Sequence, residues 1–227
     1  MIEVDLALSS VRELNQRLHR IAPGDNEHHW RVVNPNGAHA IAVGLTMPVH
    51  VEIKGHVGYY CAGMNAAATV VVDGHAGTGL AENIMSGSVR VLGNAAQSAA
   101  ASGRGGLVVI EGDTSARCGI SMKGVAIVVG GSVGHLSAFM GQAGTLVVCG
   151  DAGHDLGDSI YEANVFVAGK VASLGADCVE KEPTPADIER VAGLLARAQI
   201  AADAARFRRY GSARHLYSFH IDHAAEY

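Results

Sequence analysis

The sequence predicts an all-β fold, a single-stranded right-handed parallel β-helix of about seven 19-residue coils with capping helices at both ends. Three observations predict it. A short aliphatic run closed by glycine recurs with an unbroken 19-residue period over seven copies. Two further phases of that period admit only small side chains. The 227 residues include 29 glycines but only 5% aromatics, so the chain is too apolar for disorder and too poor in large side chains for an ordinary sandwich core.

The N-terminal stretch carries Glu3 and Asp5 and has no basic flank before an apolar run, so it does not read as a secretory signal. Residues 9–22, SSVRELNQRLHRIA, read as a short amphipathic helix capped by Ser9 or Ser10, with Glu13 completing a capping box from Ser10. This helix is expected to cover the first open coil.

The repeats follow: VEIKG ending at Gly55, VVVDG at Gly74, VRVLG at Gly93, VVIEG at Gly112, IVVGG at Gly131, LVVCG at Gly150 and VFVAG at Gly169. The positions four and two before each glycine are aliphatic in every copy. Seven after it stand Ala62, Ala81, Ala100, Gly119, Ala138, Gly157 and Ala176, and three after it Gly58, Gly77, Ala96, Ser115, Gly134, Gly153 and Ala172. Period-2 alternation, a unit too short for a helix and small residues at fixed phases are the requirements of a β-helix coil. A leucine-rich repeat would show its Leu/Asn ladder, which is missing. At about 4.8 Å per coil the rod is on the order of 30 Å long.

After the coils, Thr184 reads as a helix N-cap with Pro185 at the first helical position and Asp187 completing the box; Ile188, Val191, Leu194 and Leu195 form its apolar face and Gly211 is its expected stop. The layout is therefore an N-terminal cap segment with a short helix (1–47), a parallel β-helix (48–180), and a C-terminal helix with a docking tail (181–227).

Composition excludes several functions. A net charge of −5 argues against nucleic-acid binding. No run approaches the roughly 18 apolar residues of a membrane span, so no membrane partner and a cytoplasmic location are expected. Cys61, Cys118, Cys149 and Cys178 form no CxxC pair and read as small apolar fillers. The glycines around Gly74–Gly79 and Gly130–Gly134 look like nucleotide loops, but they sit at the recurrent phases and lead into no helix.

Stacked coils place equal phases one rung apart. One after each glycine stand His56, His75, Asn94, Asp113, Ser132, Asp151 and Lys170. Such a line could be offered to a metal, but zinc needs converging ligands, and polar stacking is the ordinary way a coil corner meets water. His135 and His154, near Asp155 and Asp158, could form an acid–base pair, against the plainer account of an exposed edge ladder. No catalytic, cofactor-binding or metal residue is therefore expected.

Three before each glycine, the outward phase turns apolar at Val109, Val128, Val147 and Phe166. Either the C-terminal helix or a partner subunit covers it. The expectation is an interface made by these four residues together with Leu216, Tyr217, Phe219 and Ile221 of the tail.

The succession of glycine coils, Leu92-Gly93-Asn94 at the centre and Asn34-Pro35-Asn36-Gly37 ahead of the repeats resemble the C-terminal GXGXG β-helix domain of the glutamate synthase large subunit. As a free-standing chain it is most similar to the small β-helix subunit of N-methylglutamate synthases; the β-helix subunit of formylmethanofuran dehydrogenases is also similar. The resemblance covers about residues 30–180. It implies a non-catalytic scaffold packed between a class II glutamine amidotransferase-like subunit and an FMN-binding synthase subunit, which would carry the FMN, with or without an iron–sulfur cluster. It also leaves open a glutamine- or ammonia-dependent glutamate synthase. A carbohydrate-processing β-helix is a different class of reading, but such enzymes build grooves from long inserted loops, and these coils have none.

Overall fold

Branched aliphatic residues at alternate positions favour short strands, and a constant spacing lets those strands stack in register. The computed structural model describes residues 1–25 and 28–214. Nine strands run parallel: β1 (Ile2–Asp5), β2 (His29–Val33), β3 (His50–Lys54), β4 (Thr69–Asp73), β5 (Ser88–Val91), β6 (Leu107–Ile110), β7 (Lys123–Val129), β8 (Ala143–Val148) and β9 (Asn164–Val167). From Val51 through Val70, Val89, Val108, Ile127 and Leu146 to Val165, each aliphatic residue faces its equivalent one repeat on. A second ladder of single bridges joins Val57, Ala76, Ala95, Thr114, Val133, Ala152 and Val171. The chain is a parallel β-helix.

The repeat glycine is explained by the corner that follows it. His75 N–H donates to His56 Nδ1 (3.0 Å), Asn94 N–H to His75 Nδ1 (2.8 Å), and Asp113 N–H to Asn94 Oδ1 (2.9 Å). Ser132 N–H donates to Asp113 Oδ1 (2.7 Å), Asp151 N–H to Ser132 Oγ (3.0 Å), and Lys170 N–H to Asp151 Oδ1 (2.7 Å). Each side chain thus accepts the amide one coil above. A Cβ on the glycine of that upper coil would occupy the acceptor's place: it would lie 2.4 Å from His75 Nδ1 at Gly93, 2.1 Å from Asn94 Oδ1 at Gly112 and 2.2 Å from Asp113 Oδ1 at Gly131. Space, not backbone angle, demands glycine here.

The next corner contains the small residues. Alternate residues hold positive φ, as in Tyr60, Ala62 and Met64 (61°, 54° and 54°) or Leu136, Ala138 and Met140. The outer two donate upward, Tyr60 to Thr78 O (2.9 Å) and Met64 to Glu82 O (2.8 Å), and the middle one donates downward, Ala81 to Cys61 O (2.8 Å). The middle residue also points into the core, where Ala62, Ala81, Ala100 and Ala138 are fully buried. A large side chain would combine left-handed strain with a steric clash, so the phase stays small.

At the first coil, helix α1 (Val11–His19) substitutes for a coil below. Its N-cap is Ser10, in a reciprocal box with Glu13. Asn15 Nδ2 donates to Ala40 O (2.7 Å), Asn15 Oδ1 accepts Ala42 N–H (2.9 Å), and His19 Nε2 bonds to Val43 O (2.7 Å). Leu14 and Leu18 are buried against the same end. Beyond the last coil, β11 (Arg208–Ser212) pairs antiparallel with β9, and β10 (Cys178–Lys181) pairs with β11. Large aromatics stand near the two ends of the interior column: Trp30 between Ile2 and Val51 below, with Arg17 4.9 Å over its ring, and Tyr210 opposite Val165 above.

Three expectations change. The ladder begins at Ile2, not near residue 48, because β1 and β2 stack beneath β3 at wider spacings (Ile2 on Trp30, Trp30 on Val51). Helix α2 (Pro185–Ala198) stops at Gln199, which is left-handed (φ 54°), and Gly211 lies in β11 instead of ending the helix. Nor does α2 cap an end: it lies along the side of the sheet. No helix among the described residues is long and apolar enough to cross a membrane.

The corner geometry predicts a coupling between Gly112 and Asn94. Gly112→Ala alone is expected to cost about 2 kcal/mol and Asn94→Ala alone about 1 kcal/mol. In the double variant the 2.1 Å clash with Asn94 Oδ1 disappears and only the Gly93 backbone remains close, at 3.0–3.1 Å, so urea denaturation is expected to give a total well below the sum. Additive losses would refute the shared-space account.

Candidate functional site

Three places were candidates for chemistry. The polar corner is the first, and its lone pairs are engaged by backbone amides, as described above. The His56 and His75 rings stack 4.9 Å apart, near parallel, which places them in a line instead of around a common centre. Among the described residues no group of three or more His, Cys, Asp or Glu side chains converges as a metal site would require.

The second is the His135 and His154 phase. His154 Nδ1 lies 3.3 Å from Ser173 Oγ, and Ser173 Oγ also accepts Asp155 N–H (2.9 Å). Asp158 accepts Ser159 Oγ–H (2.8 Å) and Ala176 N–H (3.1 Å). These groups tie the last two coils together. The cysteines are similarly inert: burial pushes the thiols of Cys61 and Cys118 up to about 12 and that of Cys178 up to about 11, so none of the three is a ready thiolate.

The third is the outward apolar strip, and here the structure corrects the expected interface. Val109, Val128, Val147 and Phe166 are buried beneath α2, packed with Val191, Leu194, Leu195, Ala198 and Phe207. The strip is internal, because an amphipathic helix in the same chain covers it; of that helix's expected apolar face only Ile188 remains exposed. Leu216, Tyr217, Phe219 and Ile221 lie outside the described residues.

What holds α2 there was not apparent from the sequence. Thr184 Oγ1 accepts Asp187 N–H (3.2 Å), and Asp187 Oδ2 accepts the Thr184 amide (2.9 Å) and hydroxyl (2.6 Å). Arg209 reaches across from β11, donating to Asp187 Oδ2 (3.1 Å) and to Asn164 Oδ1 (2.9 Å) at the start of β9. At the other end Arg90, paired with Glu111, donates to the Ala198 carbonyl, where the negative end of the helix dipole favours a cation. The Thr184–Asp187 spacing marked the cap, but nothing marked Arg209 or Arg90 as its partners. Burial alone would raise the Asp187 carboxyl, but Thr184 and the Arg209 and Arg190 guanidinium groups hold it below the usual range. A cleft beside this clasp is lined by Tyr161, Asn164, Lys181, Arg209 and Arg214, but Arg209 is engaged as described and Arg214 pairs with Asp177.

Comparison with known proteins places this geometry in context. Protein GlxC of Rhizobium meliloti (strain 1021) is 64% identical over 225 residues, an alignment covering 99% of this chain and 99% of that protein. No family model matches the sequence, and no solved structure does.

Two predictions follow from the clasp and the strip. Because its folded value lies below that of the unfolded chain, Asp187 stabilises the fold fully above about pH 4, and this contribution is lost as pH falls through the lowered folded value. Asp187→Asn is expected to cost about 1–2 kcal/mol at pH 7 and to flatten the acid limb of urea midpoints measured between pH 5 and pH 2; an unchanged acid limb would rule the clasp out. Val128→Lys with Val147→Lys is expected to destabilise the isolated chain by about 3 kcal/mol or more, with loss of α2 helicity by circular dichroism. A fully stable double variant would return the strip to the surface.

Proposed function

The chain belongs to the GlxC family, and on that premise we propose that it is a non-catalytic scaffold subunit of a glutamate synthase-like complex. The complex it fits best is an N-methylglutamate synthase, which converts methylamine and L-glutamate into N-methyl-L-glutamate and ammonia. In it the β-helix bridges a class II glutamine amidotransferase-like subunit and an FMN-binding synthase-like subunit. Cofactor chemistry belongs to that second partner.

The observation that supports this reading is how the polar groups of the solenoid are used. The side chains that sequence alone offers to chemistry, at the His56–Asp151 corner and around His154 and Asp158, serve as hydrogen-bond partners between adjacent coils. Such a body supplies rigid distance. The glycine coils and the Asn34–Gly37 run, which resemble the glutamate synthase β-helix, and the full-length likeness to Protein GlxC agree with that role.

A glutamine- or ammonia-dependent glutamate synthase, or a formylmethanofuran dehydrogenase-like complex, would use the same scaffold. Purified alone, the chain is expected to show no turnover. Reconstituted with the amidotransferase-like and FMN subunits, it is expected to support N-methylglutamate and ammonia formation from methylamine and glutamate. Product from 2-oxoglutarate plus a reductant, with none from methylamine, would assign it to a glutamate synthase instead. Turnover by the isolated chain would contradict the scaffold role.

A further inference from the structure

The acceptors that tie one coil to the next are not distributed evenly along the solenoid. The lower coils use imidazole: His56 Nδ1 accepts His75 N–H (3.0 Å) and His75 Nδ1 accepts Asn94 N–H (2.8 Å). A third imidazole acts alike in the segment ahead of β3, where His39 Nδ1 accepts Tyr59 N–H (2.9 Å). From Asn94 upward the corner acceptors are amide, carboxylate and hydroxyl oxygens. A neutral imidazole has one donor and one acceptor nitrogen, so these bonds fix the tautomer of all three rings: Nδ1 keeps its lone pair and Nε2 carries the hydrogen.

Protonation reverses such a bond. An imidazolium donates from both nitrogens, so an Nδ1–H would meet the amide N–H head on. Turning the ring over presents a C–H, and no rotamer restores an acceptor. The rings also have little slack, since a Cβ at Gly58 would lie 2.1 Å from His39 Nδ1 and one at Gly93 2.4 Å from His75 Nδ1. His56 and His75 stack 4.9 Å apart, so charging both would set like charges face to face; His39 stacks on the Tyr59 ring at 4.6 Å. Among the described residues none of the three is ion-paired: Lys54 and Asp73, which flank the corner, pair with each other (3.4 Å), and Glu52 is shared by Arg31, His50 and Lys54. His19 differs, because its Nε2 donates to Val43 O and a charged ring donates as well. We propose that the corner of the lower coils is a proton-sensitive seam, which opens as the three acceptor imidazoles take up protons. The fold binds the neutral ring, so each bond contributes fully above about pH 7 and is lost below about pH 6, around the ordinary imidazole value of about 6.5. The rungs above Asn94 stay closed over this range, because amide and hydroxyl oxygens do not titrate and carboxylates keep their charge down to about pH 4. The contact of α1 with the first coil, made by Asn15 and His19, also persists. The inference is independent of the complex proposed above.

The test uses the isolated full-length chain and residue-resolved amide hydrogen exchange, corrected for the intrinsic effect of pH. Between about pH 7.5 and about pH 5.5, protection of the Tyr59, His75 and Asn94 amides is expected to fall about tenfold, the excess of imidazolium over imidazole one unit below its ordinary value. The amides of Asp113, Ser132, Asp151 and Lys170 are expected to keep theirs. In His75→Asn, which copies the acceptor used one coil above, the Asn94 amide is expected to stay equally protected at both pH values while the Tyr59 amide still loses protection. Long-range proton–nitrogen NMR spectra at the higher pH are expected to show the hydrogen of His39, His56 and His75 on Nε2. Protection of the three amides that does not change with pH overturns the proposal. So does an equal fall at the upper amides, a fall at Asn94 that survives His75→Asn, or a hydrogen found on Nδ1.

Discussion

One hydrogen bond, repeated once per coil, sets the terms for the rest of this molecule: a side chain on one coil accepts the amide directly above it. The donor must be a backbone N–H at a fixed phase, so the period cannot slip. The acceptor must be short and bear a lone pair, which admits His, Asn, Asp and Ser. The residue before the donor must lack a Cβ, because the acceptor and the backbone of the coil below fill that space. Individually such exposed bonds are worth about 1 kcal/mol, but each also fixes the height at which the next strand is laid down. The aliphatic interior then packs Val on Val at the strand spacing, column by column.

The interior supplies cohesion and the corners supply register, but neither limits the number of coils. That limit comes from side chains that end the pattern. Asn15 carries both a donor and an acceptor and so satisfies the two backbone groups that a lower coil would have engaged. Trp30 and Tyr210 are the large residues of a column otherwise made of Val, Ile and Leu, and they stand near its two ends, Trp30 between Ile2 and Val51 and Tyr210 on Val165. Helix α2 has a different task. Laid across β6–β9 and held at its two ends by Arg209 and Arg90, it converts an apolar outer stripe into a second core.

The coils were legible in the sequence because each is the same solution of the same constraints, and seven repetitions separate constraint from accident. The reason for the glycine was not legible: that Gly112 yields to Asn94 one coil below is a fact of three dimensions. The first two rungs escaped because α1 and a longer loop interrupt the period, leaving Trp30 and Val32 with no 19-residue echo. The end of α2 was misplaced because an αL Gln199 is chemically unremarked, whereas Gly211 looks like a stop. The outward stripe was visible as apolar, but amphipathic pattern alone does not say which covering surface meets it. The Asp187–Arg209–Asn164 clasp joins three elements distant in sequence, and single residues of common types carry no local signal of such a meeting.

The left-and-right asymmetry of α2 also bears on how such a body changes over generations. Because the helix straddles only the later coils, reaching back no further than Arg90 in β5, the coils of β3 and β4 are tied among the described residues to their neighbours above and below. A duplication of one 19-residue unit there would lengthen the rod by a single strand spacing, about 4.8 Å, without touching the plug at either end. The span between the ends is therefore quantised. Evolution can alter it in whole steps, as on a notched rule, but not by fractions.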